Sequence, residues 1–270
     1  MSDLLTFEEI APFLHTNYIG KNIIHYDTIG STNDQAKITA YDVPSSNGTV
    51  LISEEQTTGR GRLGRKWVST KGKNILMSII LKPDMMLKDA VKITQIAAAA
   101  LVCSIRALGI DAYIKWPNDI IVNNKKVCGI LTETKSKLSK IQYIILGIGI
   151  NVNMDLNEIP QDLIKTASSL YIESKNKISR KKLTAGVINN FEKFYNKFLI
   201  DNDFNSSLEI CRKYSAVLNK KIYVINKNKK YKALAVDINN NGELIVEYED
   251  LRREKLNSNE ISIRGEHEYI

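Results

Sequence analysis

A chain of 270 residues with 43% hydrophobic and 25% charged side chains has the make-up of a folded globular protein, not of a disordered or fibrous one. The formal charge of +8 favours an anionic ligand or partner, but lysine is spread along the whole chain, so charge alone says little about function. Cys103, Cys128 and Cys211 are far apart and form no C-x-x-C pair, which argues against a disulfide framework or a zinc site.

The first residues carry no signal-peptide pattern, and the longest apolar run, Ile96 to Val102, is too short for a bilayer; a cytoplasmic protein is expected. Residues 1–21 hold one short amphipathic piece, Phe7 to Leu14, too little for a helix-turn-helix domain. Asn22 to Tyr26 reads as a strand, and Ser31-Thr32-Asn33-Asp34 then offers capping side chains to a helix through Gln35 to Ile38.

Thr49 to Ser53 reads as a strand, and the basic, glycine-rich stretch Gly59-Arg60-Gly61-Arg62-Leu63-Gly64-Arg65-Lys66-Trp67 follows. Glycine admits close backbone approach to a ligand, and arginine presents a fork of donors suited to carboxylate or phosphate. The spacing of Gly59, Gly61 and Gly64 also fits the dinucleotide fingerprint G-x-G-x-x-G. That motif needs a helix immediately after it, whereas here the β-like run Asn74 to Leu81 comes next. The loop is expected to join two strands.

Asp89 to Leu108 reads as a helix closed by Gly109. The strand Ala112 to Trp116, the interruption Pro117-Asn118-Asp119 and the strand Ile120 to Val122 lead to a hairpin turn at Asn123-Asn124. The return strand is Lys126 to Glu133, and a further strand from Ile141 ends in Gly147-Ile148-Gly149-Ile150-Asn151, where the glycines leave room for a ligand. Residues 153–166 read as a loop with a short helical piece. Leu183, Val187, Phe191, Phe194 and Phe198 mark the core stripe of a long helix, and a second helix runs from about Phe204 to Tyr214. Beyond Leu218 come short strands (Lys221 to Ile225, Tyr231 to Asp237, Glu243 to Tyr248, Glu260 to Arg264) with a turn at Asn240-Asn241-Gly242. The expected fold class is α+β: a mixed β-sheet flanked by helices over residues 1–217 and a small β-barrel over 218–270.

Four pieces in this order closely resemble the biotin protein ligase family: Ser31-Thr32-Asn33; Gln56 with the Gly59 to Trp67 loop; Lys115-Trp116-Pro117-Asn118-Asp119 with Lys126 to Leu131; and Gly147 to Asn153. The resemblance runs from about residue 22 to Arg264. It implies a class II synthetase-like catalytic domain with an SH3-like C-terminal barrel. The implied chemistry has two steps, with ATP and biotin as substrates and Mg2+ assisting. The biotin carboxylate attacks the α-phosphate to give biotinyl-adenylate and pyrophosphate; a lysine of a biotin carboxyl carrier protein then takes the biotin and AMP leaves.

The resemblance also implies residue roles. Ser31, Thr32, Asn33 and Gln56 hold biotin, mostly through its ureido ring, with Gly59 and Gly61 in the covering loop and Gly129, Gly147 and Gly149 shaping the slot. Arg60 and Arg62 sit over the carboxylate and α-phosphate, and Lys126 contacts both. Trp67 stacks on adenine, Asn151 contacts the adenine side, and Arg264 reaches from the barrel to the phosphates. Asn118 and Asp119 serve magnesium or the incoming lysine, with Asn118 also on the nucleotide; a turn-capping aspartate after Pro117 is the lesser alternative for Asp119. Arg62, Lys126 and Asp119 are the catalytic candidates. Lys115 and Trp116 also fit structural roles.

Some family members carry an N-terminal DNA-binding domain. With about thirty residues before Ser31, this chain is expected to be a ligase without specific DNA binding. Many members pair through the catalytic sheet, and no residue here argues directly for a homodimer. A reactive mixed anhydride needs protection from water, so the glycine-rich loop and the 153–166 loop are expected to close over biotin and the adenylate respectively. Rival readings are a lipoate–protein ligase, a nucleic-acid-binding protein using the basic loop, and a nucleophilic hydrolase. The last lacks a G-x-S-x-G motif and a triad-like setting for His15, His25 or His267.

Overall fold

The structure is a computed structural model that describes residues 3–226, 229–257, 261–265 and 269–270; His267 and Glu260 lie outside these. A seven-stranded sheet has the order β1-β2-β3-β7-β6-β5-β4, built from β1 (Ile23–Tyr26), β2 (Val50–Ser53), β3 (Asn74–Leu81), β4 (Tyr113–Lys115), β5 (Asp119–Val122), β6 (Lys125–Lys137) and β7 (Lys140–Asn151). β1 and β2 are parallel and the remaining pairs antiparallel, so the sheet is mixed. The flanking helices are α1 (Phe7–Ile10), α2 (Thr32–Asp42), α3 (Ala90–Arg106), α4 (Leu170–Ser174), α5 (Arg180–Ile200) and α6 (Asn205–Lys213).

Period-two alternation decides which face of the sheet becomes core and which carries chemistry. On β3, Ile75, Met77, Ile79 and Leu81 enter the main core, as do Ile144, Leu146, Ile148 and Ile150 of β7 and Cys128 and Ile130 of β6. That core is shared with α3, whose Ala97 to Ala100 stretch is fully buried, and with Phe191 and Tyr195 of α5. The intervening residues face the other way: Ser78 on β3, Gly129, Leu131 and Glu133 on β6, and Gly147 and Gly149 on β7. Cross-strand register sets Gly129 opposite Gly149, and Gly147 opposite both Leu131 and Ser78. α2 covers this second face at one end, packing Ala36 and Ala40 on Leu51, Ile80 and Ile145.

A second sheet has the order β11-β10-β9-β8-β12, from β8 (Lys221–Asn226), β9 (Lys229–Ile238), β10 (Leu244–Tyr248), β11 (Arg253–Leu256) and β12 (Ile261–Arg264). It docks on the first through Trp116, a fully buried indole whose Nε1–H donates to the Gly242 carbonyl at 3.0 Å. The loop between β2 and β3 holds only the single turn Arg62–Gly64, with no helix opening at Gly64. α4 and β11 are absent from the sequence reading, and the Glu133 end read for the hairpin's return strand extends to Lys137. Among the described residues no helix is long and apolar enough to cross a membrane.

One buried ionic cluster ties the N-terminal segment to the sheet. Arg180, at the start of α5, pairs with Glu54 at 2.7 Å and with Asp3 at 3.0 Å, and its guanidinium also donates to the Asn74 carbonyl. Glu54 is 1% exposed, and without Arg180 it keeps the Leu5 N–H and His25 on Oε1 but leaves Oε2 buried without its cation, a loss of up to about 3–5 kcal/mol for a pair of this kind. Arg180→Met is therefore expected to lower the urea midpoint sharply; an unchanged midpoint would show that the cluster holds nothing together.

Candidate active site

Ser31 caps α2, its Oγ accepting from the Asp34 N–H at 3.4 Å, and this directs the first turn of α2 onto the glycine-lined face. Thr32 donates to Gln56 Oε1 through its backbone N–H at 2.7 Å and its hydroxyl lies 2.9 Å from the same oxygen. Asn33 lies across β7: a Cβ on Gly147 would come within 2.3 Å of Asn33 Oδ1, so this glycine admits the Asn33 carboxamide itself. Two partners of these residues escape sequence reasoning. Ser78, fully buried, places Oγ 2.7 Å from Thr32 Oγ1 and 2.6 Å from Asn33 Oδ1, and Glu133 accepts from Asn33 Nδ2 at 2.7 Å. The alternation of β3 and β6 would have put both on this face, but only once the register was known.

The glycine-rich loop folds over this floor. Trp67 spans the cross-strand pair Gly149 and Gly129, whose added Cβ atoms would meet the indole at 2.7 and 2.9 Å. In this structure those glycines make room for tryptophan. Gly59 passes close to the Trp67 carbonyl and Gln56, and Arg60 turns outward to an ion pair with Asp34. Arg62 turns inward, donating to Asn118 Oδ1 at 2.9 Å and to the Ile261 carbonyl of β12 at 3.3 Å.

Two adjoining cavities result. A polar slot of about 50 Å³ is lined by Ser31, Thr32, Asn33, Gln56, Gly147 and Gly149. A larger one of about 200 Å³ runs past Lys115, Asp119, Asn151 and Met154 to Leu163 and to Arg264 on the barrel. Arg62, Trp67, Asn118 and Lys126 line both and form the wall between them.

The larger cavity is strongly cationic. Lys126 pairs with Asp119 at 2.6 Å, and the Tyr269 hydroxyl donates to the other Asp119 oxygen at 2.5 Å. Burial opposes ionisation of Asp119, but Lys126, Tyr269 and Lys115 outweigh it and hold the carboxyl below the ordinary aspartate range. Burial lowers Arg62 from the usual guanidinium value, although Asp119 opposes this; an arginine stays charged. Lys115 is 2% exposed, its Nζ has no hydrogen-bond acceptor among the described residues, and it sits beneath the Tyr269 ring, 3.2 Å from the centroid. Burial, reinforced by Arg264, pulls it down to about 6. The sequence reading left Lys115 a structural role; the structure places it within the cavity wall. Asn151 donates to the Ser168 carbonyl, which leaves its Oδ1 unpartnered among the described residues.

Residues 28–151 match the Biotin/lipoate A/B protein ligase family and residues 217–264 the Biotin protein ligase C terminal domain. The bifunctional ligase/repressor BirA of Bacillus spizizenii is 35% identical over 250 residues, which cover 91% of this chain and 75% of the relative. The chain belongs to the biotin protein ligase family. A biotin–[acetyl-CoA-carboxylase] ligase of Paracoccus denitrificans is 37% identical over 129 residues, 45% of this chain and 51% of that one. Among solved structures, the biotin protein ligase of Aquifex aeolicus in complex with biotin and ATP superposes with a TM-score of 0.78 at 28% identity, covering 91% of this chain and 99% of that one. Every site residue named from the family resemblance lies on one of the two cavities or in the loop that covers them.

Lys115 generates a stability prediction of definite sign. With a folded value near 6 against about 10.5 unfolded, the unfolded chain binds an extra proton between these limits, so stability rises with pH across that window. Lys115→Met is thus expected to melt at a higher temperature than wild type near neutrality, with the gap narrowing toward about pH 10. Melting curves that keep the same separation at both ends of the window would contradict this.

Proposed function

We infer that the protein activates biotin with ATP to biotinyl-5′-AMP, releasing pyrophosphate, and transfers the biotinyl group to a lysine of a biotin carboxyl carrier protein. The observation that supports the assignment of roles is the shared wall: a carboxylate in the slot and a triphosphate in the larger cavity would meet at Arg62, Trp67, Asn118 and Lys126, and Arg62 and Lys126 are the cations among these. Attack of one anion on another is opposed by Coulomb repulsion, and cations preplaced where the new charge develops reduce that cost in the transition state.

In this reading the ureido ring lies on the polar floor and the valeryl chain runs toward Arg62. The larger cavity takes ATP, with Trp67 at its boundary with the slot and the Asn151 Oδ1 placed to accept from the adenine amino group. Lys115, Arg62 and Arg264 receive the phosphates. The slot in its present form is too small for a bicyclic ring and its chain, so Trp67 and the loop shift when biotin enters. Arg60 then exchanges Asp34 for the ligand; an exposed ion pair of this sort is worth little and gives way easily.

In the second step the carrier amine attacks the adenylate carbonyl, AMP leaves with the bridging oxygen, and the amine loses a proton. Asp119 sits beside this point, but a carboxyl held below its ordinary range is a poor base near neutrality, so we assign it orientation of the amine, not final uptake of the proton. The described residues contain no group of three or more carboxylate, imidazole or thiol side chains that could hold a metal. The donor set fits a magnesium ion carried by the triphosphate, with Asp119 and Asn118 as its protein neighbours, and not an ion held by the protein alone.

Biotin-dependent exchange of labelled pyrophosphate into ATP tests the first step. Arg62→Ala is expected to cut the exchange rate by about 10²-fold, the scale for losing one preplaced transition-state donor. Exchange with lipoate in place of biotin, or an Arg62→Ala rate equal to wild type, would overturn the assignment.

A further inference from the structure

The polar floor of the slot can be read hydrogen by hydrogen, because its two carboxamides are each oriented by neighbours with a single possible role. The Asn33 amide nitrogen lies 2.7 Å from Glu133 Oε2 and 3.4 Å from the Leu131 carbonyl. A carboxylate and a carbonyl only accept, so Nδ2 must face them and Oδ1 must face Ser78. The Gln56 oxygen lies 2.7 Å from the Thr32 backbone N–H, which only donates, so Oε1 must face α2.

Between these fixed ends four oxygens stand in a row: Gln56 Oε1, Thr32 Oγ1, Ser78 Oγ and Asn33 Oδ1, separated by 2.9, 2.7 and 2.6 Å. Each of the three contacts needs a hydrogen, and the row owns two, one on Thr32 and one on Ser78. One pair of oxygens is left facing without a hydrogen between them. Buried lone pairs opposed in this way are unfavourable, and an incoming donor relieves them.

From this count we propose that the floor is built one hydrogen short and selects a ligand that brings an N–H donor to it, with Glu133 as the positioning residue that maintains the shortage. The proposal rests on the biotin reading and deepens it: a ureido ring carries two N–H groups, whereas a dithiolane carries none. Glu133 acts through Asn33. As long as it is a carboxylate the Asn33 amide cannot turn over; with a carboxamide in its place only the long 3.4 Å contact to the Leu131 carbonyl still favours Nδ2 on that side, and Asn33 can turn to present Nδ2 to Ser78 and supply the missing hydrogen internally. Lys37, 2.6 Å from the other Glu133 oxygen, holds the carboxylate in place without touching the row.

The test compares biotin with an isostere whose ring is a cyclic carbonate, oxygen replacing both ureido N–H groups, in pyrophosphate exchange by wild type and Glu133→Gln. For wild type the carbonate is expected to require a concentration at least about tenfold higher than biotin, as befits a buried acceptor left unsatisfied. In Glu133→Gln the KM for biotin rises by about the same factor and the preference collapses toward unity, while the KM for ATP and kcat stay near wild type. A variant that merely loosens the fold would shift all of these together. Equal use of biotin and carbonate by wild type overturns the proposal without recourse to any variant, as does a Glu133→Gln enzyme with an unchanged biotin KM. Absence of biotin-dependent exchange in wild type would instead remove the ligase reading itself.

Discussion

The cleft is organised by the repulsion between two anions that have to react. Cations must stand where a carboxylate and a triphosphate meet, yet without ligands they must neither collapse onto each other nor expel the chain that holds them. The structure meets this with temporary partners for three of them, Arg62 on Asn118, Lys126 on Asp119 and Arg60 on Asp34, while Lys115, pulled down to about 6, sits largely uncharged near neutrality beneath the ring of Tyr269. Lys115 takes the most costly solution, burial with no acceptor, and this is how stability is sacrificed for function at a single side chain.

The scaffold that permits this is the alternation of β3, β6 and β7. One set of side chains builds the α3–α5 core; on the other face Ile80 and Ile145 pack under α2, and beside them Ser78, Gly129, Gly147 and Gly149 leave a floor bordered by Leu131 and Glu133. Tryptophan and asparagine lie on that floor because Gly129, Gly147 and Gly149 have no Cβ to hold them off. The barrel contributes from outside, through the Ile261 carbonyl on Arg62 and through Arg264 in the cavity wall.

Much of this was legible in the sequence. The apolar run from Ile141 to Asn151, the loop flanked by strands and the Asn123-Asn124 turn pointed to strands of the sheet, and both asparagines of that turn do adopt positive φ. Ser78 was hidden in an apolar run where period-two reading yields a face only after register is known. β11, Arg-Glu-Lys-Leu, is an edge strand too charged to show a strand pattern. Lys115 was left a structural role and Glu133 was read only as a strand end, because what makes each of them informative is a partner, or the lack of one, distant along the chain. Gly129, Gly147 and Gly149, read as shaping a ligand slot, line the small cavity, and the atoms that they make room for here belong to the protein.

The central claim is that the biotin carboxylate attacks the α-phosphate across the Arg62–Lys126 wall. It is tested most directly by turning over biotin labelled with 18O in both carboxylate oxygens, in the presence of ATP and a carrier protein, and weighing the products. Attack at the α-phosphate places one labelled oxygen in each AMP released and none in pyrophosphate. Unlabelled AMP with the label in pyrophosphate, or ADP with the label in inorganic phosphate, would show that the reacting atoms meet elsewhere.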